Sequence, residues 1–256
     1  MNIVFIGAGN LATSLAKEMY RHELHISQVY SRTEESASLL ARQLNCPWTT
    51  SIDEITPDAD WYIFSVKDDA LAKLISDLKP NNGLWLHTAG SMPAHVFEGF
   101  TKRYGVIYPL QTFSKKREVN FSRIPLILEA NNTDDLEELK RVSGLLTEDI
   151  RTLNSEERKQ IHLAAVFACN FANHMWSLAW KILEDKNIPP EILIPLVEET
   201  AAKIQELPPA QAQTGPAVRY DRNVIDKHID LLKDENMKTI YQLLSQSIYK
   251  TKNENL

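Results

Sequence analysis

Asn2-Ile3-Val4-Phe5-Ile6-Gly7-Ala8-Gly9-Asn10-Leu11-Ala12 runs an apolar, β-branched segment into a glycine turn and then into a helix. Asn2 to Ile6 has the composition of a parallel strand covered on both faces, and Gly7 allows the sharp turn that ends it. Gly9 lacks a Cβ, so the main chain there accepts a phosphate at close range. The unpaired N–H groups of the next helix, from Asn10 and Leu11 onward, point at that phosphate. Ala12 fills the third place of a G-x-G-x-x-G/A pattern, where a small residue lets helix and strand pack tightly. Leu11, Leu15 and Met19 then share one helical face. A strand before the glycines and a helix after them turn a weak pattern into a dinucleotide-binding prediction, with Gly7, Gly9, Asn10 and Leu11 around the diphosphate. The plain alternative is the same strand, turn and helix without a ligand.

The second strand selects the dinucleotide. His25 to Tyr30 alternates as a strand, and its end lies about twenty residues beyond the glycines, where an NAD enzyme carries an acid for the ribose hydroxyls. No acid stands there. Ser31-Arg32-Thr33 instead offers two hydroxyls and a guanidinium, whose planar fork suits a ribose 2′-phosphate. The expected cofactor is therefore NADP, held by Ser31, Arg32 and Thr33. Ser31 or Thr33 also has the chemistry to cap the helix that begins at Glu34, and the two roles are compatible.

The chain has 256 residues, 43% hydrophobic and 24% charged, ordinary for a globular protein and enough for two cores or a single large one. A net charge of −6 argues against nucleic-acid and anionic-membrane partners, so basic groups should matter locally, at phosphates. Cys46 and Cys169 are far apart and lack C-x-x-C spacing, which indicates neither a disulfide scaffold nor a zinc cluster; no metal is expected. The opening apolar run is too short and lacks the basic flank of a signal peptide, so a cytoplasmic location is expected. Lys250 to Leu256 reads as a loose polar tail.

Strand and helix alternate through the first half. Glu34 to Leu44 reads as a helix, Trp61 to Val66 as a strand, and Asp68-Asp69 as the start of a helix with Leu71, Leu74, Ile75 and Leu78 on one face. Strands follow at Leu84 to Thr88, around Val106-Ile107, and at Ile124 to Glu129. The expected fold class is α/β: a doubly wound, mostly parallel Rossmann sheet over residues 1–153, followed by an all-α domain over 154–256. Ligands of such sheets lie over the carboxyl ends of the strands, which makes Val66, Lys67, Thr88 and Gly90 candidate walls of the cofactor cleft. Capping of the next helix is the more ordinary role for Asp68 and Asp69.

Asn154 with Glu157 forms a capping-box pattern, and a long helix is expected from Ser155 to about Glu184. Leu163 to Trp180 is apolar on almost every face, as in a helix buried among others, yet Asn170, Asn173 and His174 exclude a membrane span. At ~100° per residue His162, Cys169 and Asn173 share one face, with Asn170 and His174 beside it. These polar groups are either satisfied core or interface residues, or His162 and Asn170 contact substrate or nicotinamide. Further helices are expected at Pro190 to Leu207 and Arg222 to Leu232. Between them Thr214, Arg219 and Asp221 supply a hydroxyl, a guanidinium and a carboxylate, suited to an anionic substrate and a proton donor. Asp221 equally suits a helix cap, and Arg219 a neighbouring acid. His228, two turns on, is a further substrate-binding candidate.

The glycine turn, Ser31-Arg32-Thr33, Ser65-Val66-Lys67-Asp68-Asp69, His87-Thr88-Ala89-Gly90-Ser91, Pro109-Leu110-Gln111-Thr112-Phe113, the helix from His162 to Asn170, and Thr214-Gly215-Pro216 with Arg219, Asp221 and His228 together resemble one two-domain family. It joins a Rossmann-like NADP domain to a helical carboxyl-terminal domain of unknown function. More distantly the chain is similar to pyrroline-5-carboxylate reductase, ketopantoate reductase, and the 6-phosphogluconate and 3-hydroxyisobutyrate dehydrogenases. The resemblance implies hydride transfer between nicotinamide and a carbonyl or imine carbon of a small metabolite, and a homodimer built through the helical domain. The family pattern has serine at Ala89, histidine at Tyr108 and glycine at Tyr220, so this chain departs from it at three positions. Hydroxyacid dehydrogenases of the superfamily also carry a catalytic lysine four residues before an asparagine. Val166 stands four before Asn170 here, which removes support for that mechanism. His162 is left as first candidate for general acid, with Asp221 or His228 to orient or replace it and Asn170 as a further catalytic candidate. A nucleotide-binding sensor without chemistry and a deazaflavin-dependent reductase are the competing readings, the second disfavoured by the net charge of −6.

Overall fold

The computed structural model describes residues 1–254, and the chain divides after Asn170 into two compact units. The first is built on β1 (Asn2–Ile6), β2 (His25–Tyr30), β3 (Trp48–Thr49), β4 (Trp61–Phe64), β5 (Leu84–His87), β6 (Tyr104–Pro109), β7 (Leu126–Ala130) and β8 (Ile150–Thr152). Their order in the sheet is β3-β2-β1-β4-β5-β6-β7-β8, and every pair is parallel except β6 with β7. Around it lie α1 (Asn10–Arg21), α2 (Glu34–Leu44), α3 (Asp68–Asp77), α4 (Thr133–Ser143) and α5 (Ser155–Ala165). Strand order reverses between β1 and β4, and a doubly wound sheet opens its ligand crevice at that point, beyond the carboxyl ends.

Period-two sorting builds the layers. Ile3 and Phe5 enter one core with Leu15, Met19 and Leu40, whereas Val4 and Ile6 enter another with Leu71, Ile75 and Phe97. A strand buried on both faces must be apolar at nearly every position, which is why β1 and β4 read as continuous hydrophobic runs. α1 commits Ala12, Leu15, Ala16 and Met19 to the first core. Each fully buried Leu or Met there contributes roughly 2 kcal/mol.

Several boundaries differ from the sequence expectation. β4 stops at Phe64 and β5 at His87, because the chain turns at Ser65 and Thr88, where Thr88 Oγ1 donates to Ser65 Oγ at 3.1 Å. β7 begins at Leu126 rather than Ile124: a 3-10 turn at Phe121–Arg123 precedes it, and Pro125 has no N–H to pair. β3 and β8, of two and three residues, are too short for a periodicity to register.

The long helix is present from Ser155 to Glu184, but Val166–Phe171 takes π geometry between α5 and α6 (Ala172–Glu184). A π turn takes a different angle per residue, so a fixed α-helical spacing does not carry the face of His162 through the segment that holds Cys169. The boundary read at 153/154 marks the end of strand and helix alternation; compactness divides the chain within the π segment instead. The second unit continues with α7 (Ile194–Glu206), α8 (Pro209–Ala212), α9 (Pro216–Arg219), α10 (Arg222–Leu231) and α11 (Glu235–Glu254). Burial of the long helix on almost every face is not observed: Leu163, Phe167, Phe171 and Trp176 are exposed, since the described residues of a single chain do not cover them. Nor is the stretch from Lys250 loose as far as it is described. It continues α11, whose last turns are anchored by Tyr249 stacking on Tyr220 at 4.8 Å, while residues 255 and 256 lie outside the described residues.

Candidate active site

The amino end of α1 is open. Gly7 has φ +119°, and a Cβ there would overlap the Ser65 carbonyl oxygen, so the turn out of β1 requires glycine. Gly9 is the N-cap of α1 without a side-chain cap bond, and a Cβ built on it would meet nothing within 4 Å. No acid stands in the first turn. The first-turn N–H groups of α1, from Asn10 onward, have no intrahelical acceptor and lie at the positive end of a helix, a fit for a diphosphate. Beyond β2, Thr33 occupies the N-cap of α2 but makes no capping bond, and Arg32 is exposed with no ion pair among the described residues. That unpaired guanidinium fits a 2′-phosphate. Glu34 and Glu35 follow it in the first turn of α2, where they answer the helix dipole. Lys67, exposed, is the N-cap of α3 without a side-chain bond, and Val66 is half-buried. Asp68 opens α3 and accepts from the Ser91 hydroxyl, tying the loop after β4 to the loop after β5.

A second cluster lies at the ends of β5 and β6. His87 is fully buried; its Nδ1 accepts from the Ala89 N–H at 3.1 Å and its Nε2 faces the Pro93 carbonyl at 3.3 Å. Burial, with the charge of Arg158 adding to it, pushes this imidazole down from 6.5 to about 3, so it stays neutral and pins the turn rather than exchanging protons. Gly90 makes room for another ring: a Cβ there would sit 2.5 Å from His162 Nδ1. Tyr108, buried near the end of β6, places its Oη 3.0 Å from the same Nδ1, with the two rings edge to face at 6.0 Å.

The histidine is held by its helix. Asn154 and Glu157 complete the capping box read in the sequence. One turn before His162, the fully buried Arg158 pairs with Glu129 of β7 and donates to the Met92 carbonyl. Ser155 Oγ donates to Glu129 at 2.9 Å and accepts from the Ala94 N–H at 3.0 Å. α5 is thereby fastened to β7 and to the loop beyond β5.

Of the residues singled out in the sequence, the structure brings His162, Gly90 and Thr88 to this end of the sheet. Asn170 is exposed and eight residues further along, within the π segment. Thr214, Arg219, Asp221 and His228 belong to the second unit. Asp221 caps α10, its Oδ1 accepting from the Val224 N–H at 3.4 Å, and His228 Nδ1 lies 2.8 Å from Tyr241 Oη. Arg219 and Thr214 are exposed, and Arg219 has no ion pair among the described residues. Tyr220 adopts φ +50°, a conformation that glycine takes without cost; its stacking on Tyr249 and under Arg222, 5.4 Å from the ring, offsets the strain. Tyr108, Glu129, Ser155 and Arg158 were not singled out as site residues in the sequence. Only Tyr108 carries a signal, through its departure from the histidine of the family pattern.

Residues 2–85 match the family model described as NADP oxidoreductase, coenzyme F420-dependent, and residues 124–248 match a domain of unknown function, DUF2520. Among solved structures, a Bacteroides fragilis protein described as a candidate NADP oxidoreductase is 49% identical, with 97% of this chain and 98% of that one covered at a TM-score of 0.92. An imine reductase from Myxococcus stipitatus, crystallised with NADP+, is 15% identical over 99% of this chain and 93% of that one, TM-score 0.65. A 1-pyrroline-5-carboxylate reductase from Streptococcus pyogenes is 15% identical over 99% and 98%, TM-score 0.63. These last two share the fold. No curated protein matches the chain. No helix among the described residues is long and apolar enough to cross a membrane.

Proposed function

The chain belongs to the NADP oxidoreductase family of the Bacteroides fragilis protein, and on that premise we propose that it moves a hydride between NADP(H) and a carbonyl or imine carbon of a small metabolite. One observation carries the reading: a titratable side chain, His162, lies against Gly90 just past the carboxyl end of β5, the edge where doubly wound sheets hold their ligands. NADPH, when bound, supplies the hydride. The first-turn N–H groups of α1 hold the diphosphate, and Arg32 with Ser31 and Thr33 holds the 2′-phosphate. Val66, Lys67, Thr88 and Gly90 line the nicotinamide side. His162 gives a proton to the heteroatom beside the carbon being reduced and takes it back in reverse. NADPH oxidation across small ketones and cyclic imines tests this. Turnover of one member supports it, whereas tight NADPH binding without hydride exchange to any ligand favours a sensor.

The same proposal includes a homodimer through the second unit. Ile192, Leu196, Leu231 and Leu243 are 70%, 63%, 76% and 60% exposed, and a groove of about 590 Å³ is lined chiefly by Trp176, Trp180, Ile194 and Val197. Apolar surface on this scale is costly in water and is covered most simply by a second copy of itself. Light scattering is expected to give twice the chain mass of 29.2 kDa; a monomer across the micromolar range contradicts it.

A further inference from the structure

We infer that Tyr108 sets the tautomer of His162, holding the neutral ring with its hydrogen on Nε2 and refilling that position when the proton leaves. The inference rests on His162 being the proton donor proposed above.

A neutral imidazole carries one N–H, and the partner of one nitrogen decides where it sits. Only two arrangements fit the 3.0 Å approach of Tyr108 Oη to His162 Nδ1: the phenol donates to Nδ1, or Nδ1–H donates to the phenol oxygen. A phenol is the better donor, because its oxygen lone pair is partly given to the ring. A phenolate would reverse the preference, but burial raises the pKa of Tyr108, against a lowering by Arg158 and a further raising by Cys169. The hydroxyl hydrogen is therefore present, Nδ1 accepts it, and Nε2 carries the ring hydrogen. Gly90 bears on the Nδ1 and Cγ side of the ring, its notional Cβ 2.5 Å and 2.6 Å from those atoms. Nε2 lies on the other side and has no hydrogen-bond partner among the described residues. The two fixed contacts thus leave the donating edge for a substrate.

In the reducing direction the electron pair arrives with the hydride at the substrate carbon, whose oxygen or nitrogen takes the Nε2 proton. The Tyr108 hydrogen passes to Nδ1, so the imidazole ends as its other neutral tautomer. Tyr108 is left as a phenolate facing the favourable charge of Arg158 and regains its proton from water. The imidazole never needs to become a cation.

Long-range 1H–15N correlation spectra of the coenzyme-free protein test this without reference to turnover, with His162→Gln identifying the His162 signals. The expected result is the Nε2–H signature in the native protein and a mixture of tautomers in Tyr108→Phe. Turnover of an accepted substrate in Tyr108→Phe should fall about tenfold with KM little changed, the effect of losing one hydrogen bond of ordinary strength. An Nδ1–H signature in the native protein, or an unaltered one in Tyr108→Phe, overturns the inference. So does full turnover in Tyr108→Phe when His162→Gln has lost it. Full turnover in His162→Gln overturns the donor assignment instead, and the spectra then still decide the tautomer.

Discussion

His162→Gln is expected to lower the turnover of any accepted substrate about 100-fold and to leave NADPH affinity within about twofold. Positioned proton transfer supplies roughly 10²- to 10⁴-fold of rate, and the lower end applies because His162 is only half-buried and water can partly replace it. Glutamine keeps the approximate length and an N–H group, so it preserves hydrogen bonding while removing the ability to relay a proton. Coenzyme affinity is expected to be spared because the proposal assigns the diphosphate and 2′-phosphate contacts to α1 and the end of β2. Steady-state kcat and KM beside a fluorescence titration of NADPH check both halves, and an unchanged kcat removes His162 from the chemistry.

Glu129→Gln should destabilise the protein by about 3 kcal/mol. Breaking a buried ion pair from one side typically costs ~3–5 kcal/mol, because the other charge is left without its counterion. The lower end applies here: Arg158 is fully buried, but the Glu129 side chain is 20% exposed and glutamine still accepts a hydrogen bond. The guanidinium would keep the Met92 carbonyl and a 3.4 Å contact to Ser155 Oγ, neither of them a counterion, and its Nε lacks a partner among the described residues. Adding Arg158→Met should recover part of the loss, since no orphan charge then remains. Urea unfolding of the single and double variants measures this; a single-variant loss below about 1 kcal/mol with an unchanged slope contradicts it. Because the pair fastens α5 one turn before His162, kcat should fall with stability in Glu129→Gln.

Local signals made the frame of the first unit readable. Ile3 to Ile6, the glycines after them and the helix faces of Leu15, Met19, Leu71 and Ile75 each declare themselves within a dozen residues, as does the capping box of Asn154 and Glu157. The site itself is non-local. Tyr108 and His162 are 54 positions apart and Glu129 and Arg158 are 29 apart, and sheet order joins them only after β7 has turned antiparallel to β6. Gly90 was legible as a strand-end glycine that suits a cofactor; that it also clears space for an imidazole was not. The π segment from Val166 defeats a fixed 100° wheel, so any face read across it shifts. Leu163, Phe167 and Trp176 have the composition of a buried helix, but composition does not say whether the cover comes from the same chain or from another.

The dinucleotide itself offers the most direct measurement. In calorimetric titrations of the native protein, NADPH should bind through the open end of α1, and NADH should bind at least about tenfold more weakly for want of the 2′-phosphate that the proposal assigns to Arg32. Arg32→Ala should remove most of that difference while leaving NADH unaffected. No heat with either coenzyme, or equal affinity for both, contradicts the account.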